Sequence, residues 1–136
     1  MDQQFSVQSD LQSGTVVVVD DDEATRESLR DLLESAGLEA VVFASGGSVL
    51  SSAPSLPRGC VLLDIDLPDY SGLAVFERLS RSRFDMPVIF MTGRADLAEQ
   101  ARSVSSAFAV LEKPLDDRLL LETIAHALAS APPADE

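Results

Sequence analysis

Apolar residues fall along this chain in five short runs, each followed by a stretch whose apolar positions recur at helical spacing. The first run, Thr15-Val16-Val17-Val18-Val19, is mostly β-branched and does not alternate with polar residues, the pattern of a central parallel strand covered on both faces. It stops at Asp20-Asp21-Asp22. From Glu23 the period changes. Ala24, Leu29, Leu32, Leu33 and Ala36 share one stripe, acidic residues fill the first turn and Gly37 is the stop, which predicts a surface helix. Residues 38–43 predict a second strand, and Ser45 is placed to cap a helix to about Ala53 whose first turn is weakened by Gly46-Gly47. Pro54, Pro57 and Gly59 interrupt the chain before the third run, Cys60-Val61-Leu62-Leu63-Asp64, which leads into a turn containing Pro68 and Gly72.

Ser71 then caps a helix with Leu73, Ala74, Phe76 and Leu79 inward, running to about Arg83. Residues 86–91 predict the fourth strand, with Pro87 tolerable only near its start. A thin-striped helix follows from about Ala95 to Ser105, a fifth strand over residues 107–111, and a last helix from Asp116-Asp117 with Leu119, Leu120, Ile124, Ala127 and Leu128 inward, ended by Pro132-Pro133. Strict strand–helix alternation implies a parallel sheet with helices on both faces, because each right-handed crossover needs a covering helix. The fold expected is α/β, a flavodoxin-like (βα)5 doubly wound sheet of strand order 2-1-3-4-5. That order puts a ligand crevice between the first and third strands, the two that end in Asp20-Asp21 and Asp64. The expected divisions are a flexible tail over residues 1–14, one domain over 15–130, and a tail or linker start over 131–136.

Length and charge narrow the classes. A chain of 136 residues is the size of one domain. Its net charge of -13, without a basic stripe, argues against direct binding of nucleic acid or anionic membrane, both of which need clustered Lys and Arg. Cys60, the lone cysteine, has no partner for an internal disulfide and reads as a small buried hydrophobe. No apolar run approaches the length that spans a bilayer, and the N-terminus lacks a basic region followed by a hydrophobic stretch, so a cytoplasmic protein is expected.

The candidate chemistry lies at the strand ends. Three carboxylates within a few ångströms repel one another and call for a cation. Magnesium suits hard oxygen donors and keeps several waters. Asp21 and Asp64 are assigned to direct ligation, Asp20 to a water-mediated contact, and the backbone carbonyl of Asp66 to a further position. Thr92, ending the fourth strand, offers a hydroxyl to a phosphoryl oxygen, and Lys113, after the fifth, offers an ammonium. Lys113-Pro114 is a candidate cis bond that would aim the lysine inward. A carboxylate nucleophile, a metal, a hydroxyl and an ammonium around one crevice suit an aspartyl-phosphate intermediate.

With these motifs in view, residues 15 to about 130 resemble the receiver domain of two-component response regulators. The marks are Val19-Asp20-Asp21, Asp64 with Pro68 and Gly72 behind it, Thr92-Gly93, and Glu112-Lys113-Pro114, with spacing most similar to receivers that precede helix-turn-helix output domains. The resemblance implies that Asp64 accepts phosphate from a phosphohistidine of a sensor histidine kinase or phosphotransfer protein. It also implies magnesium at Asp20, Asp21 and Asp64, with Thr92 and Lys113 reading the phosphoryl group. The module is then a signalling device rather than an enzyme, its readout a rearrangement of the fourth helix, fifth strand and fifth helix, with an output domain or partner protein and a phosphorylation-linked dimer as open possibilities.

The sequence departs from the family in three places, the least of them Leu67, which stands where Met is common in an apolar contact. Val110 stands where an aromatic usually sits three residues before the lysine; Phe108, two residues earlier, would face the same side of a strand but is not counted on to take its place. Ser105-Ser106-Ala107 replaces the usual Gly-Ala pair. Two alternatives follow: a pseudo-receiver scaffold that acts without phosphorylation, and a haloacid-dehalogenase-like phosphatase, disfavoured by Pro68 and by the short chain. Asp66 and Arg94 are expected to rim the pocket as an ion pair across its mouth. His126 is read as a partly buried packing residue, and Tyr70 as a loop residue beside the site.

Overall fold

The structure is a computed structural model and describes residues 14–83, 85–104 and 106–130. Of the tails expected at 1–14 and 131–136, all but Gly14 lies outside the described residues. Five strands and five helices alternate: β1 Thr15–Val19, α1 Glu23–Ser35, β2 Glu39–Phe43, α2 Gly46–Ser51, β3 Gly59–Asp64, α3 Gly72–Ser82, β4 Val88–Thr92, α4 Ala95–Val104, β5 Ala109–Glu112 and α5 Asp117–Ser130. A single 3-10 turn, Ala53–Ser55, sits between α2 and β3. The strands form one parallel sheet in the order β2-β1-β3-β4-β5, as the alternation predicts.

The alternation of side chains along buried strands builds two cores rather than one. Val17, Val19, Val61, Leu63 and Phe90 point to the side closed by Val49 of α2, Val75 and Leu79 of α3 and Ala101 of α4. Val16, Val18, Cys60, Leu62, Ile89 and Met91 point to the other, closed by Leu29 and Leu33 of α1 and by Leu120, Ile124 and Ala127 of α5. The uninterrupted apolar runs are therefore two half-runs interleaved, each feeding one layer.

Element ends follow local chemistry. Asp22 caps α1 by accepting from the Thr25 amide at 2.9 Å, Ser71 caps α3 by accepting from the Leu73 amide at 3.1 Å, and Asp116 accepts from the Leu119 amide at 2.9 Å at the head of α5. Gly37, at φ 87°, supplies the left-handed residue that ends α1. Gly59, at φ 156°, opens β3 where a Cβ would fall on the Thr15 carbonyl.

Several expectations are corrected. Ala24 is exposed, because the first turn of α1 stands clear of the core beside the Lys113–Leu115 loop. Leu119 is 51% exposed: the inward stripe of α5 runs through Leu120, Ile124 and Ala127, and position 119 lies a step around the helix from it. His126 is likewise exposed and is not a packing residue. On α3 the fully buried Val75 leads the stripe, with Leu73, Ala74 and Phe76 at its half-buried flanks. The second helix stops at Ser51, short of Ala53, where the 3-10 turn around Pro54 takes over. The fourth strand starts at Val88, after Pro87, and the fifth at Ala109.

Candidate functional site

The carboxyl ends of β1, β3, β4 and β5 deliver the four expected groups to one crevice. Asp20 and Asp64 are buried and Asp21 is exposed; one carboxylate oxygen from each lies within 4.8 Å of the others. Lys113 reaches in from beyond β5, and its Nζ donates to Asp20 Oδ2 at 2.9 Å and to Asp64 Oδ2 at 3.2 Å. The Lys113-Pro114 peptide is cis. Thr92 is fully buried at the end of β4, and its Oγ1 accepts from the Arg94 amide at 3.1 Å. The Lys113 amide donates to the Thr92 carbonyl at 2.7 Å, so the last two strands bring hydroxyl and ammonium in together.

The backbone around the acid cluster is pinned. Asp20 Oδ1 accepts from the Asp22 amide at 2.9 Å, and the Asp20 carbonyl accepts from Arg26 Nη1 at 2.8 Å. Asp64 Oδ1 accepts from the Asp66 amide at 3.0 Å. Gly72 donates to the Ile65 carbonyl at 2.7 Å, and a Cβ there would run into the Asp64–Ile65 backbone, so a glycine is required to close the loop this tightly.

Burial pushes the Asp64 carboxyl above its ordinary value; the Asp66 amide and Lys113 pull it back down without cancelling the burial, and the charge of Asp20 adds to the rise. For Lys113, burial by itself would lower the ammonium, but the carboxylates of Asp20 and Asp64 together outweigh it and lift the group above the usual lysine value. Three carboxylates facing one ammonium leave the cluster short of positive charge, and its donors are all hard oxygens. Such a cluster is compatible with magnesium.

Other sequence expectations fare differently. Arg94 does not pair with Asp66: its Nη2 lies 2.9 Å from Asp96 Oδ2 and its Nε 3.3 Å from Oδ1, because a carboxylate two residues on, at the head of α4, is within easy reach. Asp66 and Arg94 still line one groove beside the acceptor loop. Phe108 precedes β5 and is 41% exposed. It lines an apolar cleft of about 260 Å³ with Val61, Phe76, Leu79 and Met86, away from the acid cluster, and so does not replace the missing aromatic. Val110 itself is half-buried against the α2–α4 side of the core. Sequence reasoning missed Arg26, Asp69 and Asp96; Asp69 accepts from the backbone amides of Gly46 and Gly47, which head α2. The weak Gly46-Gly47 helix start was the one signal that an outside group is needed there.

A doubly wound five-stranded sheet with this acid cluster, hydroxyl and ammonium at the ends of its strands defines a class, and the comparisons agree. Residues 16–125 match the response regulator receiver domain family, and the chain belongs to it. Among curated relatives it is 37% identical over 123 residues to the transcriptional regulatory protein FixJ of Bradyrhizobium diazoefficiens, covering 89% of this chain and 60% of that protein. It is 40% identical over 115 residues to FixJ of Azorhizobium caulinodans, covering 83% and 54%. Among solved structures, full-length FixJ from B. japonicum superposes with TM-score 0.82 at 35% identity, over 91% of this chain and 62% of that one. A CheY-like receiver domain protein from Methanospirillum hungatei gives TM-score 0.79 at 33% identity, over 85% and 94%. The chain thus spans somewhat more than half the length of the curated relatives it matches. Among the described residues, no helix is long and apolar enough to cross a membrane.

Proposed function

We propose that Asp64 accepts a phosphoryl group from a phosphohistidine on a sensor histidine kinase or phosphotransfer protein, and that the resulting charge shifts the α4–β5–α5 face. The observation that carries this reading is the bridge from Lys113 Nζ to both Asp20 and Asp64 in a buried acidic crevice, with the Thr92 backbone bonded to that of Lys113 at the ends of the adjoining strands. Magnesium would be held by Asp20, Asp21, Asp64 and the backbone carbonyl of Asp66, and when bound it supplies positive charge to the phosphoryl oxygens. An Asp64 carboxylate oxygen forms the O–P bond as the P–N bond to the donor imidazole breaks; the bonding pair stays on that nitrogen, and the imidazole leaves neutral with the proton its other ring nitrogen already carried. The Lys113 ammonium is already within reach of Asp64 and exchanges one carboxylate contact for a phosphoryl oxygen. The Thr92 hydroxyl donates to another, drawing the start of α4 after it. The chain is a signalling module whose own chemistry is limited to gaining and losing this phosphoryl group.

The relatives' names favour a receiver that governs a transcriptional output, and the charge of -13 assigns DNA contact to some other part of such a regulator. Val110 poses the remaining question, since the usual aromatic that follows the threonine is absent. Amide NMR during titration with magnesium and beryllofluoride, a phosphoryl mimic, tests both points. The expected result is saturable shifts at Asp64, Thr92 and Lys113 that need magnesium and extend into α4 and β5. Shifts confined to the pocket would overturn the switching half of the proposal, and none at all would overturn the whole.

A further inference from the structure

The loop after the acceptor, residues 65–71, carries a contact that the phosphoryl chemistry does not use. Asp69 Oδ1 accepts from the Gly46 amide at 3.1 Å and from the Tyr70 amide at 2.9 Å, and Oδ2 accepts from the Gly47 amide at 2.9 Å. The glycine amides are among the donors that the start of a helix leaves without a partner. Position 46 is closed around this contact: a Cβ there would lie 2.7 Å from Val75 Cγ2 and 3.0 Å from Tyr70 Cδ2. The Arg78 guanidinium of α3 stands over the Tyr70 ring, 5.1 Å from its centroid. The outer half of the loop is therefore gripped by α2 and α3. Its inner half is gripped by the Asp66 amide on Asp64, by a bridge between Asp66 and Ser71, and by Gly72 on Ile65.

We infer that Asp69 is a positioning residue: by clasping the first amides of α2 it fixes the loop that follows Asp64, and with it the Asp66 backbone, for magnesium binding and phosphoryl acceptance. The inference rests on the proposed function of Asp64. Its physical basis is preorganisation, since a ligand on a loop that must first be ordered binds its ion more weakly. A role confined to stabilising α2 would alter melting and leave ion affinity alone. Ser45 separates the two, because its Oγ accepts from the Ser48 amide at 3.2 Å and caps the same helix, and its side-chain hydrogen bonds go to Ser48 rather than to the loop.

The test uses the chain with Asp69→Ala, Asp69→Asn and Ser45→Ala. Magnesium affinity is read by calorimetry and by tyrosine fluorescence, which comes from Tyr70 alone because the sequence has one Tyr and no Trp. The rate of phosphorylation by a small acyl phosphate is read in parallel. Asp69→Ala should weaken magnesium binding about tenfold, the lower end for groups that orient a metal's ligands from behind, and should slow phosphorylation. Asp69→Asn, which keeps one accepting oxygen, should fall between, and should carry the test if the alanine variant melts. Ser45→Ala should match wild type in both readouts. Wild-type affinity in Asp69→Ala, or an equal loss in Ser45→Ala, would overturn the role of Asp69. A folded wild-type protein that neither binds magnesium nor accepts phosphate would overturn the assignment of Asp64 beneath it.

Discussion

Asp64 is held against its own preference for water. It is buried, shares Lys113 with Asp20, and its carboxyl titrates above the ordinary value because burial outweighs the Asp66 amide and the lysine. A carboxylate raised in this way contributes stability that is complete below its unfolded value and is lost as pH rises through the folded one. Ionised Asp64 is thus a cost to the metal-free fold at neutral pH. Asp64→Asn should raise the melting temperature at pH 7 without magnesium, and the gain should shrink as acid takes the pH below the usual carboxylate range; thermal melts across pH check this. Cys60 shows the same physics without a function, its thiol pushed up to about 12 by burial. The position of the candidate site residues Asp20, Asp21, Asp64, Thr92 and Lys113 at one end of the sheet was legible because each follows an apolar run, so strand ends could be counted from the sequence. Arg94 was not, since a two-residue reach to Asp96 competes with any partner across the groove and leaves no periodic trace.

The elements were legible where burial is total and blurred where it is partial. β1 and β3 are buried throughout and were read with little error, whereas β5 is only half-buried and begins two residues later than its sequence suggests, at Ala109 rather than Ala107. On α5 three leucines in a row, Leu119 to Leu121, hide the phase of the stripe, and only packing shows that Leu120 faces Ile89 and Met91 while Leu119 faces out. Leu120→Ala should cost about 2–5 kcal/mol in urea unfolding, the usual range for an aliphatic truncation in a tight core, while Leu119→Ala should change stability by less than about 0.5 kcal/mol. A larger loss at Leu119 than at Leu120 would place the inward stripe one residue earlier. The turn between α2 and β3 is secured differently: Arg83 donates to the Ala53 and Leu56 carbonyls and forks onto Asp85, a polar pin that no apolar pattern announces.

At the scale of the whole molecule, two cores back to back make the sheet a rigid plate, with the chemistry at one end and helices on both faces. Such a plate transmits little by bending, so any signal must travel through the edge elements that can take two positions. α4 and β5 are suited to this: among the described side chains of α4 only Ala98 and Ala101 are buried, with Leu97 half-buried, and its Arg102 reaches the exposed Glu112 at 3.4 Å, one residue from Lys113. The proposed signalling role depends above all on Asp64 being the acceptor. The decisive measurement is intact-mass analysis of the folded protein after incubation with a small acyl phosphate, with and without magnesium, alongside Asp64→Asn. One added phosphoryl group per chain, dependent on magnesium and absent from Asp64→Asn, is the predicted result. Unmodified wild-type protein in the presence of magnesium, or equal modification of Asp64→Asn, would contradict it.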